Sequence, residues 1–451
     1  MKRLPLISLL APLVLAGCGG GGDGGTTNSF STAQVTQSVP DSFSTAQVTQ
    51  SVPAKPTCTL AVNSSTVPQS YYGTNPIPTP LSKFDNSILR GIGLKDYHPT
   101  FNMPNCTQNE YSRLLYQKTL DRLQLLNVDV VEIYQYGPVV DFNATTWVVD
   151  KAQRQIPESE LIWFIKEANS RNLKVNIIWQ LWPVDSKGNT INSNYTMSEA
   201  EMLKVLRGWH DIIVDVAKFG GANGLNILTV HWNAFYFPIT GKYKESATLE
   251  FLSIINDVRK HFNGKLFMEA LPTFFDRRIV DKVDGIIVPI NPSNWTRNDD
   301  INISVSLLKS RFLDNILGKA LELSINTGMD LKSIPVIWDF NIQSRDKALS
   351  EGWVEDGFCV KEGIGPVSWG SPECAKQMNY VTDFSIQALA IEGAFQAIKE
   401  QTLIKTYGIM FSTGYWHTDT LVPGEEGFPN LSQSIRGKPA ENVVKHWYSK
   451  N

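Results

Sequence analysis

Eight short apolar segments alternate with longer amphipathic segments along residues 86–451. The short segments are rich in β-branched residues and are typical of buried parallel strands; they lie at 87–94, 128–134, 174–180, 226–232, 265–271, 284–290, 334–340 and 407–413. Apolar residues at helical spacing predict helices between them, at 109–126, 158–172, 198–219, 248–262 and 380–400. Eight such units in about 365 residues match the number in a (β/α)8 TIM barrel, so we predict an α/β fold of this type.

An open, doubly wound α/β sheet is the alternative to the barrel. That fold would place a glycine-rich phosphate loop after the first strand, but the segment "GIGLKDYHP" contains no GxGxxG motif. The chain is 42% hydrophobic and 19% charged, a composition that supports one domain with a large core. Its net charge of −3 gives no reason to expect a nucleic-acid partner. We expect a monomer without a cofactor.

The first 17 residues have the features of a signal peptide. Lys2 and Arg3 precede an apolar run that is too short to span a bilayer, and the run ends in "LAGC" at Cys18. This ending resembles a bacterial lipobox, which implies that Cys18 is lipidated and anchors the chain to a membrane. Gly19 follows rather than Asp, which by resemblance to Gram-negative lipoproteins favours the outer membrane, on its periplasmic face or at the cell surface.

Residues 18–56 are predicted to be a low-complexity tether. The segment "SFSTAQVTQSVP" occurs at 29–40 and is repeated without change at 42–53. Two copies are too few for a solenoid, so we interpret them as a solvated spacer. An N-terminal extension, 57–85, then leads to the barrel domain at 86–451.

Four cysteines remain beyond Cys18, and in an exported chain an even number predicts disulfides. Three pairings are possible, and we favour Cys58–Cys106 and Cys359–Cys374 because each closes a local loop. Metal binding is the weaker interpretation, because the chain has no CxxC or HExxH motif and its histidines are scattered. The second disulfide would lie in a long loop after the seventh strand, at 341–379.

Aromatic and polar residues cluster where the predicted strands end, which is the side of such barrels that carries active sites. The segment "HWNAFYFP" follows the fourth strand and supplies Trp232, Asn233 and Tyr236 as candidates for stacking on sugar rings and binding hydroxyl groups. Phe235 and Phe237 are expected to pack in the core instead. The other substrate-binding candidates follow the first, third and eighth strands and are Asp96, Trp182, Trp416 and His417.

Three segments carry a resemblance to a known family. They are "KLFMEALPTFFDRRIVDKVDGIIVPINP" at 265–292, "IPVIWDFN" at 334–341 and "SQSIRGKPAENVVKHWY" at 432–448. Together they resemble the clan A (β/α)8-barrel glycoside hydrolases, closest to the family 113 β-mannanase type. The resemblance implies an O-glycosyl hydrolase of oligo- or polysaccharides. It also implies an acid/base glutamate after strand four and a nucleophilic glutamate after strand seven.

This sequence departs from the family at both carboxylate positions. Asn233 matches the strand-four glutamate and Asp339 matches the strand-seven glutamate, and an amide cannot donate a proton to a leaving oxygen. Glu269 lies in the adjacent apolar strand, where burial would raise its pKa as a general acid requires; it could otherwise be a structural carboxylate held by a buried partner. Glu132 has the same two interpretations. We predict that Asp339 and Glu269 are the catalytic pair.

The shorter side chain of Asp339 leaves room for a water molecule. That room suits inverting chemistry, with carboxyl groups about 6.5–9.5 Å apart, better than retaining chemistry at about 5–5.5 Å. The alternative function is a catalytically inactive barrel that binds glycans, because Asn233 has replaced the expected acid.

Overall fold

The computed structural model describes most of the predicted barrel domain and part of the extension before it. The described residues are 58–60, 67–95, 106–140, 148–149, 156–184, 198–232, 241–269, 275–290, 295–296, 300, 302–350, 358–361, 365–368, 381–416 and 431–450. The predicted signal peptide, Cys18 and the tether lie outside these ranges, and the anchor therefore stays a prediction.

A closed barrel of parallel strands forms the centre of the domain. Its strands are β1 (Leu89–Lys95), β2 (Val130–Val140), β4 (Lys174–Val184), β5 (Ile227–Val230), β6 (Lys265–Glu269), β7 (Gly285–Pro289), β8 (Val336–Asp339) and β11 (Thr406–Trp416). Each pairs with the next in this order, and β1 pairs with both β2 and β11, which closes the sheet. All eight overlap the predicted strands, so the barrel is confirmed and the open sheet is excluded.

Three short strands lie in those parts of the connections that the structure describes. β3 (Val148–Val149) pairs antiparallel with the end of β2, and β9 (Phe358–Lys361) forms a hairpin with β10 (Gly365–Ser368). This hairpin falls within the long loop predicted after the seventh barrel strand.

Helices surround the barrel. They are α1 (Gln108–Leu125), α2 (Glu158–Asn169), α3 (Glu199–Asn223), α4 (Lys244–His261), α5 (Arg277–Val280), α6 (Val305–Thr327), α7 (Phe384–Glu400) and α8 (Pro439–Trp447). A capping box begins α3, because the side chains of Ser198 and Glu201 each accept a hydrogen bond from the other's backbone N–H. The long helix α6 is not among the predicted helices. No helix in the described ranges has the length and apolarity needed to cross a membrane.

Disulfide Cys58–Cys106 is present, with 5.0 Å between the Cα atoms, and confirms that pairing. The backbone of Cys359 lies in β9, but Cys374 is outside the described residues, so the second disulfide stays a prediction. The extension contacts the barrel domain through aromatic rings: Tyr71 packs on Phe384 at the start of α7.

Candidate active site

The interior of the barrel has an apolar layer beneath a polar one. The apolar layer consists of six buried side chains, one each from β2, β5, β6, β7, β8 and β11: Val130, Ile227, Phe267, Ile287, Ile337 and Met410. Side chains alternate between the two faces of a strand, so residues two positions further on also face inward. These are Glu132, Thr229, Glu269, Pro289, Asp339 and Ser412. Among these six residues, three carboxyl groups therefore face the interior at or near the carboxyl ends of the strands.

Glu132 is the most deeply buried of the three, with 0% of the residue exposed. Its Oε2 atom accepts a 2.8 Å hydrogen bond from the Nδ2 of Asn176 on β4. The hydroxyl of Thr229 on β5 donates a 2.9 Å hydrogen bond to the Oδ1 of the same amide. Burial, together with the negative charge of Asp339, raises the pKa of Glu132 to about 8. Glu132 is therefore mostly protonated at neutral pH.

Asp339 is the last residue of β8 and is only partly buried. Its Oδ1 atom accepts a 3.1 Å hydrogen bond from the backbone N–H of Ser412 on β11. Burial raises the pKa of Asp339 to about 6, although the hydrogen bonds from Ser412 oppose the rise. Asp339 is thus mostly ionised at pH 7, which is the state that a base or nucleophile requires.

The chain that follows Asp339 is held by hydrogen bonds to β11 and to the C-terminal segment. Asn341 donates a 3.2 Å hydrogen bond to the backbone oxygen of Ser412. Further on, the hydroxyl of Ser344 donates to the backbone oxygen of Ser432 at 2.8 Å, and the buried ammonium group of Lys438 donates to the Ser344 hydroxyl at 2.8 Å. The "RGKPA" turn, one of the features that carry the family resemblance, therefore helps to hold the loop beside Asp339.

Glu269 is the last residue of β6, and its Oε2 atom contacts the Nδ1 of His231, which follows β5. The side chains are 22% and 12% exposed, so both are partly open to solvent. Burial lowers the pKa of His231 to about 3; a neighbouring carboxylate favours the charged ring, but burial is the larger effect and the imidazole is neutral at pH 7. The contact with His231 is the kind of partner expected of a structural carboxylate. The position of Glu269 at the end of a barrel strand is the one expected of a catalytic acid.

Glu269 and Asp339 lie at the same level of the barrel. On β7, Glu269 pairs with Ile287 and Asp339 pairs with Pro289, so the two carboxylate residues differ by two positions in the strand pairing. In a TIM barrel, residues at equal height along the barrel axis differ by about one position in the pairing for each step to the next strand. From β6 to β8 there are two such steps, so the difference of two positions places Glu269 and Asp339 at equal height. With a strand spacing of about 4.8 Å, the two Cα atoms are roughly 10 Å apart, with both side chains directed inward.

Trp232 does not lie in this pocket. Its residue is 1% exposed, and its ring packs against Trp209 of α3 at 5.8 Å and Phe251 of α4 at 6.1 Å between centroids. The expectation that Trp232 binds substrate is therefore wrong: it faces the helical layer because it is out of phase with the inward-facing Thr229 and His231. His231, which was not among the predicted site residues, occupies the inward position instead.

For two of the other predicted substrate-binding residues, the structure describes the backbone. The backbones of Trp182 and Trp416 lie at the carboxyl ends of β4 and β11, the side of the barrel where they were expected. Four more lie outside the described residues: Asp96, Asn233, Tyr236 and His417. Their role in substrate binding stays a prediction.

Two other features of the described residues bear on where the site lies. No group of three or more His, Cys, Asp or Glu side chains in the described ranges is arranged to hold a metal ion. A groove of about 520 Å³ on the helical layer is lined by residues of α3 and α4 that include His210 and Asp257. It lies outside the barrel, so the strand ends remain the candidate active site.

Comparisons with known proteins identify the fold. No protein-family model matches the sequence, and no curated protein matches it. Among solved structures, the GH113 β-mannanase AaManA from Alicyclobacillus acidocaldarius, in complex with ManMIm, is similar with a TM-score of 0.52 and 15% identity over 81% of this chain and 99% of that chain.

Two further solved structures are also similar to this chain. A GH113 β-1,4-mannanase has a TM-score of 0.50 and 14% identity over 81% of this chain and 99% of that chain. A GH5_18 protein from Streptomyces cattleya, in complex with GlcNAc, has a TM-score of 0.48 and 13% identity over 81% of this chain and 82% of that chain. At these identities the two GH113 structures show that the chain has a glycoside hydrolase-like (β/α)8 barrel fold.

Proposed function

We propose that this protein is a glycoside hydrolase that cleaves an O-glycosidic bond of an oligo- or polysaccharide. The observation that carries the proposal is the placement of Glu269 and Asp339 on one level of the barrel interior, at the carboxyl ends of β6 and β8. The likeness to two GH113 β-mannanases supports a glycan as the ligand.

In this proposal the two carboxyl groups have different roles. Glu269 is the general acid, and its proton passes to the glycosidic oxygen as the bond from that oxygen to the anomeric carbon breaks. His231 then stabilises the Glu269 carboxylate by hydrogen bonding. Asp339 is the ionised group and takes a proton from the water whose oxygen forms the new bond to the anomeric carbon.

The length of the Asp339 side chain favours inversion of configuration. An aspartate at the end of β8 reaches less far into the barrel than a glutamate would and leaves room for a water molecule, as the separation of about 6.5–9.5 Å between carboxyl groups in inverting enzymes requires. Retention would need the carboxyl groups about 5–5.5 Å apart, and the short side chain of Asp339 does not favour that distance.

The test is a hydrolysis screen against β-mannans, β-glucans and bacterial glycans, with the configuration of the first product read by NMR. The proposal expects release of reducing ends from at least one β-linked glycan, with an α-anomer appearing first. A β-anomer appearing first would contradict the inverting assignment. Absence of hydrolysis across the panel, with retained binding, would contradict the catalytic proposal itself.

A second candidate, a glycan-binding barrel without activity, is favoured by one sequence feature. Asn233 occupies the position at which the resembling family carries its acid/base glutamate. The same screen, combined with binding measurements on the same glycans, separates the two candidates.

We further propose that the mature chain is anchored through Cys18 in the cell envelope, at the outer membrane. The support is the "LAGC" segment and the low-complexity repeat that follows it. Expression in a Gram-negative host with radiolabelled palmitate should label the wild-type chain and leave Cys18→Ser unlabelled. Equal labelling of the two, or no labelling of the wild type, would contradict the anchor.

A further inference from the structure

Three inward-facing side chains form a row across the neighbouring strands β4, β5 and β6. Ile178 on β4 pairs with Thr229 on β5, and Thr229 faces the interior of the barrel. The next inward positions along these two strands are Gln180 and His231. His231 in turn contacts Glu269 at the end of β6. Neighbouring members of such a row have Cα atoms about 4.8 Å apart, so Gln180 extends the row that begins at the proposed general acid.

The row rises toward the mouth of the barrel. Residues at equal height differ by about one position in the pairing for each step between strands. His231 therefore lies about one residue above Glu269, and Gln180 about two residues above it. With the rise per residue of a strand and the strand tilt of a TIM barrel, Gln180 is roughly 5 Å closer to the mouth than Glu269. One sugar unit spans such a distance.

Two buried polar atoms in this row have no hydrogen-bond partner among the described residues. They are the Oε1 atom of Gln180 and the Nε2 atom of His231. Gln180 is 4% exposed and the His231 side chain is 12% exposed, so the edges of both side chains still reach open space. A buried polar atom that is left unpaired is destabilising. These two atoms therefore require a partner other than the described residues, which is a ligand or a water molecule.

Both unpaired atoms are hydrogen-bond acceptors. The pKa of about 3 keeps the His231 ring neutral at pH 7, so the ring carries one proton. Because Nδ1 faces the carboxyl group of Glu269 and Nε2 has no partner, that proton resides on Nδ1 and leaves a lone pair on Nε2. The amide of Gln180 can turn toward a ligand, because the last torsion of a glutamine side chain is broad.

We propose that Gln180 and His231 bind hydroxyl groups of the sugar unit that borders the scissile bond, and that they make hydrolysis selective for a neutral sugar with free hydroxyl groups at that unit. The inference rests on the proposed function, because it concerns the same cleft. Sugar hydroxyl groups are the donors that two unpaired acceptors require. An anionic sugar is disfavoured, because the row offers it no cation and Asp339 is ionised in the same interior.

The buried position of these acceptors explains why they would act on selectivity. When the substrate supplies the hydroxyl group, Oε1 of Gln180 is paired. When an analogue lacks that group, the acceptor stays buried and unpaired, so the analogue is rejected by more than the loss of one exposed hydrogen bond. Gln180 is thus a specificity-determining residue that takes no part in proton transfer.

The first test measures the stability of the full chain without glycan. Gln180→Leu removes the unpaired atom, so its urea midpoint should equal or exceed that of the wild type. Gln135→Leu is the matched control, because Gln135 is also buried but is paired: its Nε2 donates to the backbone oxygen of Tyr134 at 2.8 Å, and its Oε1 accepts from the backbone N–H of Ile156 at 3.3 Å. This control should unfold at lower urea. An equal loss of stability in both variants would overturn the inference, because Gln180 would then be a structural residue.

The second test measures kcat/KM for β-1,4-mannotriose and cellotriose, beside analogues in which one hydroxyl group at a time is replaced by hydrogen. In the wild type, loss of the recognised hydroxyl group should lower kcat/KM about 10- to 100-fold. In Gln180→Leu, kcat/KM for the parent trisaccharide should fall by a similar factor, and the same deoxy analogue should then show no further loss. Gln135→Leu should keep the full difference between parent and analogue.

The deoxy analogues decide between a sugar and a water molecule as the partner. An undiminished difference between parent and analogue in folded Gln180→Leu would overturn the inference. The absence of any difference in the wild type would also overturn it, because the partner would then be water. If the wild type hydrolyses no glycan of the screen, the proposed function fails, while the Kd values of the same trisaccharides and analogues, measured by calorimetry, still decide the inference. Failure to bind either trisaccharide would overturn it as well.

Discussion

His231 and Glu269 contact each other across two neighbouring strands, with the Nδ1 atom of the imidazole against Oε2 of the carboxyl group. Both side chains face the barrel interior, and both are partly open to solvent. The contact fixes the carboxyl group that we assign as the general acid.

Loss of this contact should reduce turnover more than binding. We expect His231→Phe to lower kcat about 10- to 100-fold, with a smaller change in KM, because a general acid must be held close to the oxygen that it protonates. His210→Phe is the matched control: His210 also contacts carboxylates, Glu250 and Asp257, but on the outer helical layer. Equal losses in both variants would show that the His231 effect is merely structural.

The pKa of Glu132 predicts how stability depends on pH. This pKa is about 8 in the folded protein, against an ordinary value of 4.5, so the folded chain binds more protons than the unfolded chain between these values. The free energy of unfolding should therefore fall as pH rises from about 4.5 to 8, by roughly 3–5 kcal/mol from this group. Urea unfolding at pH 5 and pH 9 should show a smaller fall for Glu132→Gln than for the wild type. Parallel falls would contradict the prediction.

The barrel strands were predictable from the sequence because each buried parallel strand is a continuous apolar run. Polar and turn-forming residues separate these runs from one another. Helix α6 was missed although Leu308, Phe312 and Ile316 are buried at helical spacing. Its apolar stripe is blurred, since Leu321 and Ile325 are 57% and 72% exposed on the same helix.

The site was only partly predictable. The positions of Asp339 and Glu269 at strand ends follow from the strand assignments, and the alternation of residues along β5 would have selected His231 over Trp232. The Glu132–Asn176–Thr229 hydrogen bonds depend on the register between three strands, and a single sequence does not specify that register.

Disulfides should differ in what they stabilise. Peptide mapping without reduction should find both Cys58–Cys106 and Cys359–Cys374. The Cys58–Cys106 bond joins residues separated by 48 positions, and for a closed loop of that length the chain-entropy relation gives roughly 4 kcal/mol of stabilisation. Cys106→Ser should therefore lower the unfolding free energy by up to this amount. Cys359→Ser should mainly increase proteolysis of the loop after β8, and a large loss of global stability there would contradict this assignment.

Asn233 should bind a substrate hydroxyl without transferring a proton. Asn233→Ala should raise KM about 3- to 10-fold, the effect of one lost hydrogen bond, with kcat largely kept. If Asn233→Glu creates or greatly increases hydrolysis, the wild type is a decayed enzyme and the inactive glycan-binding function is favoured. Unchanged binding and activity in Asn233→Ala would show that Asn233 is not in the pocket.

The rate of hydrolysis by Asp339→Asn and Glu269→Gln, measured beside the wild type on the best glycan of the screen, tests the central claim most directly. Both substitutions keep the size of the side chain and remove its acid–base function. We expect each to lower kcat by about 10²–10⁴-fold while glycan binding is retained, because the lost interactions act in the transition state. Full activity in either folded variant would contradict the assignment of Glu269 and Asp339 as the catalytic pair.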